Sequence, residues 1–174
     1  MKRILLIISL FGFTMMSFAA PEVDYRMKAM FIYNFSNFVQ WPSSAFDNKK
    51  SNLKICLYGD VPFAKDMKFF DGVPVRGRNL QFIMTSNRKD IESGCHILYV
   101  GIDQKKNINT FFKNLNHNFV LSVGNVEEFV QNGGILNILR TSDQRKFEIN
   151  LFKAQQNGLE MSSDLLELAR IINQ

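Results

Sequence analysis

The chain has 174 residues, 46% of them hydrophobic, and a formal net charge of +5. That length suits one domain with a sizeable apolar core and leaves little room for a second. The basic residues are spread along the chain rather than clustered, so neither the charge nor its distribution favours a nucleic-acid-binding protein.

The start of the chain is typical of an export signal. Lys2 and Arg3 precede a short apolar run, which ends near Ala19, a small residue of the kind that a signal peptidase requires. A membrane helix needs about 20 apolar residues, and neither this run nor any later stretch reaches that length. We therefore expect a signal peptide over residues 1–19 and one soluble periplasmic domain over residues 20–174.

Apolar residues between positions 24 and 39 recur at helical spacing and predict an amphipathic helix. Pro42 ends it, because a proline forces the residue before it out of helical geometry. Farther along, β-like runs alternate with helical segments, which predicts a largely parallel sheet covered on both faces. The predicted strands are residues 53–58, 80–84, 96–100 and 119–123, and the predicted helices are residues 63–70, 107–115 and 126–132.

The last third of the chain has a different pattern. Residues 135–140 and 145–150 are β-like runs joined by a polar turn over residues 141–144, which predicts an antiparallel hairpin at a sheet edge. Residues 163–172 predict a terminal helix, with Ser162 or Ser163 as its N-cap. The expected fold class is therefore α/β, with three layers, a largely parallel sheet flanked by helices and an antiparallel edge hairpin.

The two cysteines, Cys56 and Cys95, lie in or beside predicted strands. An even count in an oxidising compartment favours a disulfide, and two thiols allow only one intramolecular pairing. The alternative is two buried free thiols. A bridge would make the two strands neighbours, since the Cα atoms of a disulfide lie within about 7 Å of each other.

The sequence contains no recognisable catalytic signature. Gly133 and Gly134 lack the spacing of a dinucleotide-binding or phosphate-binding loop. His96 and His117 form no helical pair, and neither lies near a cysteine in the sequence, so a structural His96 and a loop His117 are preferred to metal ligands. We expect no enzymatic activity, no metal and no cofactor.

Trp41 is the candidate anchor for a protein partner. It follows the first predicted helix and precedes a proline, where a large ring can stay partly exposed and act in recognition. Phe38 and Phe147 are its candidate neighbours. The alternative is that all three rings belong to the core, and for Phe38 and Phe147 that alternative is preferred.

Taken in order, many segments of the chain resemble the YfiR family of periplasmic regulators. Residues 28–35 and 38–42 resemble the opening of that family, and the likeness continues over nearly all of the chain beyond the leader. No single segment is diagnostic, but the ordered set is specific. The later segments are residues 55–59, 76–78, 95–99, 120–123, 133–137, 146–150, 158–159 and 163–169, together with Phe129.

The resemblance implies a non-enzymatic repressor. YfiR-like proteins bind the periplasmic sensing domain of an inner-membrane diguanylate cyclase and keep its cytoplasmic catalytic domain inactive, which lowers cyclic di-GMP and biofilm formation. The resemblance also implies a homodimer and a disulfide between Cys56 and Cys95. Some members have a second cysteine pair in the region that corresponds to residues 126–136, and this sequence lacks it, so redox switching through that pair is not expected.

The resemblance further implies a small-molecule site near the Trp-Pro turn and the last strand. Where basic side chains occur in the family, this sequence has Gln40, Glu160 and Ser162, which argues against anion binding by those positions. Three functions therefore stay open at this stage: a regulator that binds a membrane sensor, a periplasmic module that binds a small ligand, and a hydrolase of unknown type.

Overall fold

The structure is a computed structural model that describes residues 22–115, 118–139 and 146–173. The predicted signal peptide, His117 and the predicted hairpin turn over residues 141–144 lie outside the described residues. The helices are α1 Glu22–Phe38, α2 Ala64–Met67, α3 Arg88–Glu92, α4 Ile108–Lys113, α5 Leu151–Gln156 and α6 Ser163–Glu167. The strands are β1 Val39–Gln40, β2 Leu53–Tyr58, β3 Pro74–Val75, β4 Arg78–Thr85, β5 Ile97–Val100, β6 Leu121–Gly124, β7 Leu136–Ile138, β8 Phe147–Asn150, β9 Glu160–Met161 and β10 Ala169–Ile172.

Eight of these strands form one sheet, in the order β10-β8-β7-β6-β5-β2-β4-β3. Neighbouring strands are parallel except for the pairs β8–β7 and β4–β3. A separate two-stranded antiparallel sheet joins β1 to β9, with Val39 opposite Met161 and Gln40 opposite Glu160. The expected largely parallel α/β fold is confirmed.

Helices cover both faces of the large sheet. Successive side chains of a strand point to opposite faces, so Ile55 and Leu57 enter one hydrophobic cluster while Cys56 enters the other. Apolar residues of α1, α2, α5 and α6 complete the first cluster, and those of α3 and α4 complete the second. This arrangement confirms the three-layer prediction.

The terminal segment differs from its prediction. A helix forms only over Ser163–Glu167, and Ala169–Ile172 then pairs in parallel with β8. The β-branched residues Ile171 and Ile172 favour a strand, although the apolar spacing of the segment is also compatible with a helix. The antiparallel pairing of β7 with β8 is confirmed, but β10 lies outside it and forms the edge of the sheet.

Residues 126–132, predicted as a helix, form a series of turns. Buried Asn137 accepts a hydrogen bond from the Val126 backbone N–H at 3.2 Å and donates one to the Val126 carbonyl oxygen at 2.8 Å. Both backbone groups of Val126 are therefore used outside a helix. Glu128 has a positive φ of 58°, which also interrupts helical geometry. The tertiary bonds of Asn137 override the local apolar spacing.

Cys56 and Cys95 form the predicted disulfide, with their Cα atoms 5.9 Å apart. Cys56 lies in β2, and Cys95 lies two residues before β5, the parallel neighbour of β2. Both cysteines are buried in the second hydrophobic cluster. The bridge therefore fastens α3 and the start of β5 to the middle of the sheet.

Candidate functional site

A cavity of about 380 Å³ opens beside the Trp-Pro turn. Arg76, in the turn between β3 and β4, and Arg78, the first residue of β4, contribute its two cationic side chains. We call this cavity the arginine pocket. Its other lining residues are Gln40, Trp41, Ser43, Phe46 and Leu53.

The turn between β3 and β4 aims Arg76 at the end of α1. Arg76 and Gly77 have positive φ angles of 50° and 79°, which fold the chain tightly between the two strands. One guanidinium nitrogen, Nη1, donates to the Asn37 carbonyl oxygen at 3.0 Å, and Nη2 donates to Gln40 Oε1 at 3.1 Å. Both acceptors are neutral, so these bonds orient the guanidinium without neutralising its charge.

Arg78 is fixed in a similar way on the other side of the pocket. Its Nη1 donates to the carbonyl oxygens of Asn48 and Ser51, at 2.9 and 2.7 Å. The guanidinium carbon lies 3.5 Å from the centroid of the Phe46 ring, a close cation–π contact. The pocket thus presents two oriented cations whose described hydrogen bonds all go to neutral oxygens.

Buried His96 supports the aromatic wall of the pocket. Its ring stacks on Phe46 with centroids 4.4 Å apart. The Lys54 backbone N–H donates to Nδ1 at 3.0 Å, so Nε2 carries the hydrogen and donates to the Ala45 carbonyl oxygen at 3.0 Å. The pKa of His96 is lowered from 6.5 to about 4. Burial is the largest cause, nearby Lys54 and Arg78 add to the lowering, and the Ala45 bond and Asp47 oppose it. His96 is therefore a neutral residue that positions the Ala45–Phe46 segment.

The three predicted partner-binding rings differ in exposure. Trp41 is 8% exposed, and its indole nitrogen donates to the Phe119 carbonyl oxygen at 2.9 Å while the ring lines the arginine pocket. Phe38 is half-buried against the first hydrophobic cluster. Phe147 is 2% exposed and belongs to the core of that cluster. A role for these rings in partner binding stays a prediction.

The three predicted ligand-site residues come together around the small sheet. Gln40 is opposite Glu160 in the β1–β9 pair and lines the arginine pocket, whereas Glu160 is exposed beside it. Ser162 follows β9, and its hydroxyl accepts the Leu165 backbone N–H at 3.3 Å as the N-cap of α6. The use of these residues by a ligand stays a prediction.

Sequence reasoning missed Arg76 and Arg78 as site residues. Both lie within the Arg-Gly-Arg segment that contributes to the family resemblance, but linear spacing does not reveal that this turn faces the Trp-Pro turn. An arginine on each side of a glycine, between two short β-like runs, is the signal that could have suggested it. The cations of the pocket come from the β3–β4 turn and the first residue of β4, and not from the positions of Gln40, Glu160 or Ser162.

The described residues thus form an α/β domain with a preorganised cationic pocket at the turn between its first helix and its sheet. The chain belongs to the YfiR/HmsC-like family, DUF4154, whose profile matches residues 25–170. This family is regulatory and not catalytic, and its YfiR-like members are periplasmic regulators of diguanylate cyclase signalling.

Other comparisons add little to the family match. No curated protein sequence matches the chain significantly. A solved structure of an ABC domain in complex with L-Trp, from Streptococcus pneumonia, is similar with a TM-score of 0.49 and 12% sequence identity. That likeness covers 81% of this chain and 59% of the solved chain.

Two further properties concern the described ranges only. No helix there is both long enough and apolar enough to cross a membrane. In the same residues, no three His, Cys, Asp or Glu side chains are grouped closely enough to hold a metal ion.

Proposed function

We propose that this protein is a periplasmic, non-enzymatic regulator that binds the periplasmic sensor domain of an inner-membrane diguanylate cyclase and represses it. Repression would lower cyclic di-GMP and biofilm formation. The observation that carries the proposal is the family match over residues 25–170. In this proposal residues 1–19 direct export, and residues 20–174 act as one domain and as a homodimer, without a metal, a cofactor or nucleic acid.

Repression across a membrane requires a difference in affinity. The regulator must bind the inactive conformation of the sensor domain more tightly than the active one, because equal affinity for both shifts no equilibrium. Moving a two-state equilibrium from 1:99 to 99:1 takes a preference of about 10⁴-fold. A preorganised surface suits this task, since little ordering is left to occur on binding.

The Trp-Pro turn is the surface that we propose for the partner. The Trp41 indole N–H donates a hydrogen bond to the Phe119 carbonyl oxygen, which fixes the ring. Phe38, three residues earlier in the chain, is half-buried. Phe147 would support this surface from the core, where its ring contacts Phe31 and Phe35 edge-to-face at 5.2 and 5.3 Å. The shape of the turn, more than the exposed area of any one ring, would then distinguish the two sensor conformations.

The first test is recovery of the partner. A tagged protein purified from detergent-solubilised membranes should bring with it a membrane protein that contains a diguanylate cyclase domain. Deletion of the gene should raise cyclic di-GMP. If the deletion leaves cyclic di-GMP unchanged and the purified protein carries no such cyclase, the proposed function is wrong.

The second test is the substitution Trp41→Ala, with Trp41→Phe as its matched control. We expect Trp41→Ala to lose at least tenfold in affinity for the isolated sensor domain, because it removes both the ring and the bond to Phe119. Trp41→Phe keeps an aromatic ring at this position and should lose less affinity. Since Trp41 is largely buried, thermal melting of both variants must accompany the binding titration. Wild-type affinity in a folded Trp41→Ala variant would remove this turn from the interface.

A second candidate function is the binding of a small anionic ligand in the arginine pocket. It is favoured by two oriented guanidiniums whose described bonds all go to neutral oxygens, in a cavity of about 380 Å³. That volume falls within the usual range of small-molecule sites. Glu160 and Ser162, beside Gln40, would lie at the edge of such a site.

The substitution Arg76→Asn tests the second candidate. Asparagine tolerates a positive φ, so the turn should persist while the charge is lost. We expect calorimetric titration with inorganic phosphate at low salt to show saturable binding that Arg76→Asn weakens at least fivefold and the control Arg76→Lys weakens less. Equal binding by all three proteins would exclude this pocket as the anion site.

A further inference from the structure

A second cleft lies where α4, the loop before β7 and the first turn of α5 meet. It has a volume of about 300 Å³ and shares no residue with the arginine pocket. Two lysines, one from α4 and one from α5, contribute its cationic groups, and we call it the lysine cleft. The residues that matter for its chemistry are Asn109, Phe112, Lys113, Asn132, Gly133 and Lys153.

The ammonium group of Lys153 is held in a confined position. It lies 5.7 Å from the centroid of the Phe112 ring. Gly133 lies beside both groups, and an added Cβ atom there would be only 3.3 Å from the Lys153 Nζ atom and 3.0 Å from the Phe112 Cβ atom. Gly133 also has a φ of 107°, which side chains rarely adopt. A glycine at this position therefore makes room for the ammonium group against the ring.

The two lysines of the cleft have no counter-ion in the described part of the chain. Neither Lys113 nor Lys153 forms an ion pair with a described carboxylate. Lys153 is half-buried, and this burial lowers its pKa. A partly desolvated ammonium without a counter-ion is costly, and an anion brought by a ligand would offset that cost.

Two amide side chains border the same cleft. Asn132 donates from Nδ2 to the Glu128 carbonyl oxygen at 2.9 Å, which fixes its orientation. Its Oδ1 then accepts from Asn109 Nδ2 at 3.4 Å. The second hydrogen on Asn109 Nδ2 has no acceptor among the hydrogen bonds of the described residues, so it is available to an oxygen of a ligand.

We propose that the lysine cleft binds the oxyanion group of a small ligand, a phosphate or a carboxylate, between Lys113 and Lys153. Lysine is a common phosphate ligand because its ammonium is a compact point charge. The amide of Asn109 would add a directional hydrogen bond, and Phe112 would border the less polar part of the ligand. The lysine cleft shares no residue with the proposed partner surface or with the arginine pocket. Failure of either of those proposals would therefore leave this one standing, and the reverse also holds.

The test uses the mature protein with inorganic phosphate and with acetate as separate probes. NMR titration at low salt should show saturable shifts of the Gly133 backbone amide. Saturation by phosphate alone indicates a phosphate group, and saturation by both probes indicates a general oxyanion site. Failure of both probes to saturate would overturn the proposal.

Substitutions separate this cleft from general surface charge. Lys153→Met keeps most of the side-chain volume but removes the charge, and we expect it to lower the affinity for the probe at least tenfold. Lys153→Arg keeps the charge and should lower that affinity less. Lys89→Met removes an exposed lysine from α3 and should leave binding unchanged.

Arg76→Asn should likewise leave the Gly133 shifts unchanged, since Arg76 belongs to the other pocket. A folded Lys153→Met variant that binds as the wild type does would overturn the proposal. So would an equal loss in the Lys89→Met control.

Discussion

The two halves of the large sheet each border a cationic pocket, and the two pockets hold their cations in opposite ways. In the half that contains β2, β4 and β5, the guanidiniums of Arg76 and Arg78 are oriented by hydrogen bonds, and the Cys56–Cys95 bridge fastens the adjacent strands. In the half that contains β7 and β8 there is no covalent cross-link, since the chain has only two cysteines, and the ammonium of Lys153 has no described counter-ion.

The difference teaches that a cation can serve binding in two distinct ways. An oriented guanidinium loses little conformational freedom when a ligand arrives, so its contribution is preorganisation. A partly buried ammonium without a counter-ion gains from neutralisation, so its contribution is relief of a desolvation cost. In the first half, we therefore expect the largest effects from changes to the residues that hold the arginine pocket in place. In the second half, we expect effects from changes to its charged groups and buried amides.

The largest effect should come from breaking the cross-link of the first half. Replacing both Cys56 and Cys95 by serine should lower the free energy of unfolding by about 2–5 kcal/mol, because the reduced unfolded chain regains the freedom of the closed loop. Urea denaturation would measure this loss. Thiol titration of the denatured, unreduced wild type should find no free cysteine, and two reactive thiols would contradict the assignment.

The second effect is a pH dependence of the free energy of unfolding, which comes from His96. Its pKa is about 4 in the folded protein and 6.5 when unfolded, so between these values the unfolded state binds more protons. Stability from this group is complete above pH 6.5 and is lost as the pH falls to 4, by roughly 3 kcal/mol at most. The measurement is urea denaturation at pH 7 and pH 4.

The control for this pH effect is His96→Gln. Carboxylates and any other histidine titrate alike in both proteins, so the wild type minus variant difference isolates His96. We expect the variant to lose less stability than the wild type between pH 7 and pH 4. An identical loss in both proteins would mean that His96 is not held neutral in the fold.

The smallest effect should come from the second half, through Asn137. Asn137→Ala would leave the backbone N–H and carbonyl of Val126 without their buried partners. We expect a loss of about 1–3 kcal/mol in the free energy of unfolding. Gln131→Ala, an exposed change in the same loop, should change stability by less than about 0.5 kcal/mol. Similar values for the two variants would show that the Asn137 bonds do not stabilise the loop.

Much of the sheet could be predicted from sequence because its strands are short, apolar and separated by helices. The Cys56–Cys95 bridge could be predicted because the chain has only two cysteines and a start typical of an export signal, so one intramolecular pairing is possible. The local pattern failed where tertiary bonds decide the conformation. Asn137 holds the Val126 backbone away from a helix, and β8 recruits Ala169–Ile172 as a strand.

The candidate site was harder to predict than the fold. Trp41 could be selected because it precedes the proline that ends a helix, and Gln40 because the family resemblance implies a ligand site near the Trp-Pro turn. Arg76 could not be selected, since its approach to Gln40 depends on a left-handed turn far along the chain. Lys153 gave no signal at all, because its environment is made by Phe112 and Gly133, which lie in other parts of the sequence.

Strand β10 also has a consequence for how accurately the sheet edge is aligned. Arg170 lies opposite Glu148 in the parallel register, and its guanidinium pairs with that nearly buried carboxylate. A slip of β10 by one residue would place Ala169 or Ile171 there and leave the carboxylate without a counter-ion, at a cost of several kcal/mol. Backbone hydrogen bonds alone would accept either alignment. The ion pair between Arg170 and Glu148 thus favours one register of β10 against β8 and disfavours the registers shifted by one residue.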